Sequence, residues 1–544
     1  MHRTLLALML CGFIAVCACT FKPVPQKFVL RRDICLLSGS HSLTHSIGNA
    51  VEVIRSINAG FDPDKYYPEL DIVNPYNESL FPRDIASPTF IWSDPYLHSD
   101  LWLISIGFEA GGSKIHVVTD AATWTPGRDI WEIIKANSLD REATVTITGV
   151  NTKLSYRTVT RTAITLSTSP DKVGAPIFYI QMPLPFAWAK QHPERSVWRF
   201  GTAASYETPR VVIKNLMFCG NCHHFSKDGR IFGMDIDYRK DKGGYALTPI
   251  REHMLLTGKD LITWNDFQNP AHRKSQGFFS KISPDGKHVV STVKEQSFFA
   301  MLSDLNFSQF FFPVRGLLAC YSIEDRQFFS LPGADDFHYV QTCPAWSPDG
   351  KYIVFSRAKV DKRLLDVLGG KNYINVGPDV RITDLNKKYP IKYDLYRVPF
   401  NNGRGGEPEP VAGASHNGRS NYFPRFSPDG KWIVFTQSET GLAIQPDSKL
   451  NIIPAGGGTA RRLKCNTNIM NSWHSWSPNS RWLVFSSKNN TPYTELFITH
   501  IDKNGQDSTP VLLSRFSGNK LACIAPEFVN LKPDAIQEIQ LATD

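Results

Sequence analysis

Five consecutive residues, Cys219-Gly-Asn-Cys222-His223, have the types and spacing to do chemistry. Two thiols at this spacing can form thioethers to the two vinyl groups of one porphyrin. The adjoining imidazole then stands where it can ligate the iron from the proximal side. This reading assigns Cys219 and Cys222 to covalent haem c and His223 to the proximal ligand. The same atoms allow other chemistry. Thiolate and imidazole suit a zinc or iron site built from Cys219, Cys222, His223 or His224, but C-x-x-C supplies half a tetrahedral site, so the remaining ligands would have to come from His474 or Cys343. A Cys219–Cys222 disulfide, structural or redox-active, is a third reading, and buried thiols without a role a fourth. His474, in Asn471-Ser-Trp-His474-Ser-Trp476, is the candidate distal ligand or pocket residue. Met217, Met234 and Met470 are softer distal candidates that equally suit core packing.

Such a cluster needs a scaffold, and the composition bounds it. A chain of 544 residues exceeds the roughly 250–300 at which one core stops growing, so two folded units and a leader are expected. With 42% hydrophobic and 20% charged residues, wholesale disorder and coiled coil are excluded. The aromatic share of 12% points to a β-rich protein. The net charge of +9 is spread along the chain without a Lys/Arg block, which argues against a nucleic-acid partner.

His2 and Arg3 precede a short apolar run, Leu5 to Cys19, suited to a secretory h-region and too short to span a bilayer. Val16-Cys17-Ala18-Cys19 resembles a bacterial lipobox, which implies lipidation of Cys19 after removal of residues 1–18; plain cleavage near Ala18 would give a soluble exported protein. No later stretch is long and apolar enough to span, so this lipid would be the one membrane anchor. The expected location is the periplasmic side of the envelope, with Thr20 after the lipobox favouring the outer membrane. Eight cysteines remain after processing, too few and too scattered for a disulfide scaffold.

Residues 19–62 read as a leader with local helix around Ser46–Ser56. Residues 63–190 carry short β-type runs at Thr89–Trp92, Leu101–Ile106, Lys114–Val118, Thr144–Val150 and Ile164–Ser167. Their spacing predicts an all-β sandwich similar in pattern to immunoglobulin or fibronectin III modules, with Trp124 and Trp131 as core anchors. Phe178-Tyr179-Ile180 reads as its closing strand and Pro183–Pro185 as a stiff linker.

The remainder repeats one template: Phe225-Ser-Lys-Asp-Gly229, Ile282-Ser-Pro-Asp-Gly286, Trp346-Ser-Pro-Asp-Gly350, Phe426-Ser-Pro-Asp-Gly430 and Trp476-Ser-Pro-Asn-Ser480, with Ala525-Pro526-Glu527 as a degenerate sixth copy. Each begins with an aromatic or aliphatic residue and a tight turn. Apolar strands such as Trp432-Ile-Val-Phe435 follow. A small sheet of this kind cannot bury both faces alone, so successive units must stack.

These motifs resemble the TolB-like (PD40) family of β-propellers over roughly residues 195–544. The resemblance implies six blades, or seven if the 80-residue step between the third and fourth copies hides another unit; Leu364–Pro390 in that step reads as an insertion loop over one face. It also implies that residues just before each aromatic-Ser-Pro-Asp-Gly element lie near the central channel. There Cys222 aligns with Cys343, Phe423 and Trp473, and His223 with Pro344, Pro424 and His474. The stretch Cys219 to Gly229 and that from Asn471 to Pro478 look like a group of exported TolB-like proteins described as cytochrome c-like, although this chain has no helical cytochrome c fold.

The functional expectation is a haem-bearing propeller with a redox or haem-linked binding role, a redox partner of unspecified identity, and a protein or glycan partner on the propeller face. The alternatives are a non-redox binding or scaffold propeller, and a metal-dependent polysaccharide lyase or hydrolase using His223, His224, His338, His416 and His474. Whether the chain is an enzyme is left open, since it has no Gly-x-Ser-x-Gly elbow, His-Glu-x-x-His or phosphate loop. Asp235, Asp237, Lys240 and Asp241 read as solvated loop charges, with a role at the channel mouth as the other option.

Overall fold

A computed structural model describes residues 27–30, 33–40, 49–95, 98–216, 222–268, 273–300, 302–305, 310–377, 380–443 and 445–542. Cys19, Met217 and Cys219 lie outside the described residues, and with them the lipid and half of the C-x-x-C pair.

The N-terminal unit is built on a seven-stranded sheet. Its central strands, Leu101–Phe108, Glu142–Asn151 and Arg157–Ser169, pair antiparallel; the first is buried on both faces over Leu101–Ile104, while the other two alternate over much of their length. Both flanks add parallel pairs, Asp33–Leu37 on Ile115–Thr119 and Ser79–Pro82 on the far edge. Asn49 caps the helix Ala50–Ala59 by accepting from the Val51 N–H. A second helix, Arg128–Asn137, buries Ile130, Trp131 and Ile134. The Trp131 indole donates to the Ile85 carbonyl at 3.0 Å. The runs expected as strands form, and Trp124 and Trp131 are core residues. The arrangement differs from an immunoglobulin-like sandwich, whose sheets are antiparallel: this sheet is mixed and backed by helices and a three-stranded sheet.

The repeats form successive antiparallel four-stranded units whose first strands are His223–Phe225, Phe278–Ile282, Tyr339–Trp346, Ser420–Phe426 and Asn471–Trp476, the second and third being joined into one nine-stranded sheet by a single parallel pair, Gly316 and Val340. A further sheet is made from both halves of the chain. The strand Leu521–Phe528 pairs with Ile177–Pro183, followed outward by Val197–Gly201 and Arg210–Ile213. Phe178-Tyr179-Ile180 therefore does not close the N-terminal unit, because its partner is Ile524 of the last long strand. Neighbouring sheets share apolar clusters in succession, and another cluster joins the N-terminal unit to Trp482, Val484 and Phe528. The result is a β-propeller with the N-terminal unit packed on its side.

The Ser-Pro-Asp-Gly element has a local reason in every copy. The Ser427 hydroxyl donates to Asp429 at 2.6 Å and accepts from the Trp432 N–H at 3.0 Å, while the Asp429 carboxylate accepts from the Lys431 N–H. Ser226, Ser283, Ser347 and Ser477 do the same. The turn demands a left-handed residue, supplied by Gly350 at φ 71° and Gly430 at 74°, and by Ser480 at 61° where glycine is absent. Among the described residues the long third step holds no extra four-stranded sheet. It holds two short helices, Lys362–Leu368 and Ile382–Lys388, and a strand, Tyr373–Val376, that adds parallel to His288–Ala300.

Candidate functional site: the axial cavity

Each inner strand breaks register three residues before its aromatic position. At each break one residue takes a left-handed conformation: Phe279 (φ 59°), Cys343 (53°), Phe423 (52°), Trp473 (53°) and, in the closing sheet, Ala525 (49°). Such a conformation costs a non-glycine residue about 1–3 kcal/mol, and repeated bulges of this kind re-aim side chains. Here they turn side chains inward. Together with Cys222, which holds the same place in the first repeat, these residues line an axial cavity of about 280 Å³. Phe423 stacks on Trp473 at 4.8 Å, and Phe279 meets Phe423 edge-on at 5.2 Å.

Ala525 therefore corresponds to Cys222 and Trp473, which shifts the register expected for the sixth copy by four residues. Phe528 takes the aromatic position, and Val529 stands where the other copies have serine.

Two residues beyond each bulge, the strands present His224, Lys281, Ala345, Arg425, Ser475 and Glu527 to the same cavity. The repeat itself fixes the cations. The Trp346 indole donates to the Lys281 carbonyl at 3.0 Å, and the Trp476 indole to the Arg425 carbonyl at 3.2 Å. Lys281 is 5% exposed. Among the described residues neither its ammonium nor the Arg425 guanidinium has a hydrogen-bond or ion-pair partner. Burial, and then the neighbouring Arg425, pulls the Lys281 ammonium below its ordinary range. Glu527 accepts from the Phe225 N–H at 3.1 Å, and His224 Nε2 lies 3.7 Å from the same oxygen. Because His224 Nδ1 accepts from the Ile282 N–H, its proton belongs on Nε2, facing that carboxylate. Burial raises the Glu527 carboxyl and pushes Asp235, held by Ser280 at 3.2 Å, well above its usual range.

The expected haem residues are placed as follows. Cys222 and His223 both border the cavity, as does His474. The His223 ring is buried edge-on against Phe178 at 4.6 Å, with Nδ1 unpartnered among the described residues. Its pKa falls to about 3 through burial, Lys281 and Arg425. His474 donates from Nε2 to the Val434 carbonyl at 2.9 Å, and burial lowers it to about 3. The Cys222 and Cys343 thiols are pushed up to about 12, chiefly by burial, so both stay protonated. Ligand sites for drug-sized molecules take roughly 300–1,000 Å³, and a porphyrin is no smaller than that. Cys219, the other thiol of the motif, lies outside the described residues.

Met234 and Met470 are core residues. His338 and His416 do not reach the cavity. They are exposed and pair with Asp336 and Asp394, so the five histidines read as metal-site material are not brought together. Among the described residues no group of three His, Cys, Asp or Glu side chains could hold a metal ion. Asp235 is buried beside the channel and is not a solvated loop charge, whereas Lys240 and Asp241 lie on a separate cleft. Sequence reasoning missed Lys281, Arg425 and Glu527. The signal was the repeat column just before the aromatic, where three of six copies carry a charge.

The chain matches no family model and no curated protein. Among solved structures it is similar to TolB from Acinetobacter baumannii, at 14% identity over 71% of this chain and 79% of that one, with a TM-score of 0.40. It is likewise similar to a putative TolB from Agrobacterium tumefaciens, at 14% identity over 62% and 89%, TM-score 0.34. A periplasmic gluconolactonase from Pseudomonas aeruginosa matches at 12% identity over 61% and 82%, TM-score 0.33.

Proposed function

We propose that the axial cavity binds a small organic anion, an apolar or aromatic body carrying a carboxylate. One observation carries this: two cations, Lys281 and Arg425, stand in the wall of a narrow cavity without a side-chain hydrogen bond among the described residues, and share the attraction of Glu527. Two cations facing one carboxylate leave positive charge uncompensated, and a ligand carboxylate would supply the missing hydrogen bonds. Phe279, Phe423 and Trp473 supply the flat apolar walls. The arrangement suits binding better than turnover. The bordering thiols are protonated, and the lone pair of the neutral His224 ring is already used by Ile282.

Titrating the full chain with benzoate, and with benzamide as the uncharged control, tests this by Trp473-dependent fluorescence. Benzoate should bind and benzamide should not. Lys281→Met and Arg425→Met should each weaken benzoate roughly 10–100-fold, as loss of a charge-assisted hydrogen bond implies. Equal binding of both probes would overturn the assignment.

The second reading is a haem c joined to Cys219 and Cys222, with His223 as proximal ligand. It is supported by the motif and by Cys222 and His223 bordering the cavity. Protein exported with haem-attachment machinery should then show a Soret band that survives acid–acetone extraction; colourless protein refutes it.

The architecture assigned to this activity is a six-bladed propeller beginning at Ile177, closed by Leu521–Phe528, with residues 33–169 as the accompanying mixed-sheet unit. The assigned location is the periplasmic side of the envelope with a lipid on Cys19, carried by the leader sequence. No helix among the described residues is long and apolar enough to cross a membrane. A protein or glycan partner on the propeller face completes the proposal.

A further inference from the structure

A second cavity, of about 640 Å³, opens away from the axial one. It lies at the far end of the strand Ile231–Asp235 from the Ser-Lys-Asp-Gly turn that precedes it, and so on the opposite face of the ring. Six of its lining side chains are cationic: Arg239, Lys240, Lys242, Arg273, Lys274 and Lys294. The one carboxylate in the lining among the described residues, Asp241, is occupied. It accepts from Thr263 and Asn265 at 2.6 Å and from the Gly243 N–H at 2.9 Å. Behind the wall the buried Glu295 accepts from Gln276 and has its carboxyl raised to about 7 by burial, so it offsets only part of the positive charge.

The cations come from separate segments and several are held in place. Arg273 donates to the Gly370 carbonyl and to Asn372, which ties it to the inserted segment. Lys242 donates to the Tyr373 hydroxyl at 3.1 Å. Arg239 and Lys240 fill both central positions of a two-residue hairpin turn closed by Tyr238 and Asp241. Both adopt left-handed backbone, at φ 50° and 67°. Asn-Gly is the sequence that suits such a turn, and two long cationic side chains there are conformationally unfavourable. Arg239 lies 5.3 Å over the Tyr238 ring, and the turn places both positive charges at the rim of this cleft.

We infer that this cleft is a binding site for a small oligoanion, a molecule bearing two or more phosphate, sulfate or carboxylate groups. The volume lies within the range of small-molecule sites and is too confined for a folded nucleic acid. Converging cations with few competing carboxylates give affinity that rises with ligand charge and falls with salt.

The test is calorimetric titration of the full chain with tripolyphosphate, citrate, sucrose octasulfate and acetate at low and moderate salt. Binding of at least one multivalent probe, at least tenfold tighter than acetate and weakening with salt, is the expected result; which probe binds tightest identifies the charged group. The double variant Arg239→Asn/Lys240→Gly should weaken that binding at least tenfold while raising the melting temperature, because the turn is relieved. Lys281→Met, in the axial cavity, should leave it unchanged, so this site stands or falls separately from the axial one. The inference is overturned if no multivalent probe binds below millimolar concentration, if single-stranded DNA binds tighter than every small probe, or if the double variant binds as tightly as the parent.

Discussion

Replacing Lys281 by Met should push stability and ligand affinity in opposite directions. The ammonium is buried, repelled by Arg425 and without a hydrogen-bond partner among the described residues, while Glu527 and Asp235 attract it only at a distance. Exchanging a whole buried ion pair for apolar groups of similar volume is neutral or stabilising by about 1–4 kcal/mol, and removing one ion is destabilising where it strands its partner. Glu527 keeps Arg425 and its hydrogen bond from Phe225, so we expect a gain of about 1–3 kcal/mol. If the chain unfolds as one unit, at roughly 2 cal/mol/K per residue, that raises Tm by about 1–3 °C. The pH dependence supplies the sharper signature. The folded-state pKa of Lys281 lies below its unfolded value of 10.5. In that window the unfolded chain binds more protons, so wild-type stability rises with pH through it. Lys281→Met lacks the rise, and the two proteins should converge in stability near pH 10. Thermal melts from pH 7 to 10, run beside benzoate titrations, measure both effects. A variant that is less stable than wild type at pH 7, with the same alkaline slope, would show that Lys281 is part of a stabilising ion pair and refute the premise of the axial site.

Three further outcomes follow from the geometry. Ser427→Ala removes a hydroxyl that bridges Asp429 and the Trp432 N–H and should lower the denaturation free energy by about 1–2 kcal/mol. His474 is held neutral at a pKa of about 3, so its contribution is intact above pH 6.5 and lost as pH falls toward 3, by about 2 kcal/mol at pH 5. His474→Gln should flatten the acid slope of the denaturant midpoint by that amount, and an unchanged slope would place the ring in water. Arg515 donates to the Ser87 carbonyl and hydroxyl and lies 5.2 Å over the Tyr206 ring, bridging the N-terminal unit and the propeller. Arg515→Ala should cost about 1–2 kcal/mol and raise proteolysis of residues 71–93 first.

The ring of sheets was legible because its turn chemistry is carried by the same residue types each time: serine, aspartate and a residue tolerant of positive φ. Closure was not. Ile177–Pro183 reads like any apolar strand, and nothing local marks it as the partner of Leu521–Phe528, since that pairing depends on contacts made across the whole chain. The mixed sheet of the N-terminal unit escaped for a related reason: alternation shows strands but not whether neighbours run parallel. At the site, Cys222, His223 and His474, which border the cavity, were aligned with one another by the repeat and expected near the channel from the propeller resemblance. Lys281 and Glu527 were hidden because the second repeat has Ile282 where others have an aromatic, and the last has Val529 in place of serine. A charged residue within a strand also reads as solvent-facing until a bulge reverses its direction.

Glu527 reaches the cavity from the strand that completes the ring, and Tyr179 and Phe516, 337 positions apart, are joined by a hydrogen bond beside that seam. The cavity's acidic wall is thus assembled from the two most distant stretches of the propeller and exists only once they meet. A partly synthesised or nicked chain would keep its sheets and both cations yet present them to open water, where an anion gains little. Capture of the proposed anion would thereby be tied to topological completion, and its occupancy would report that the toroid has been sealed.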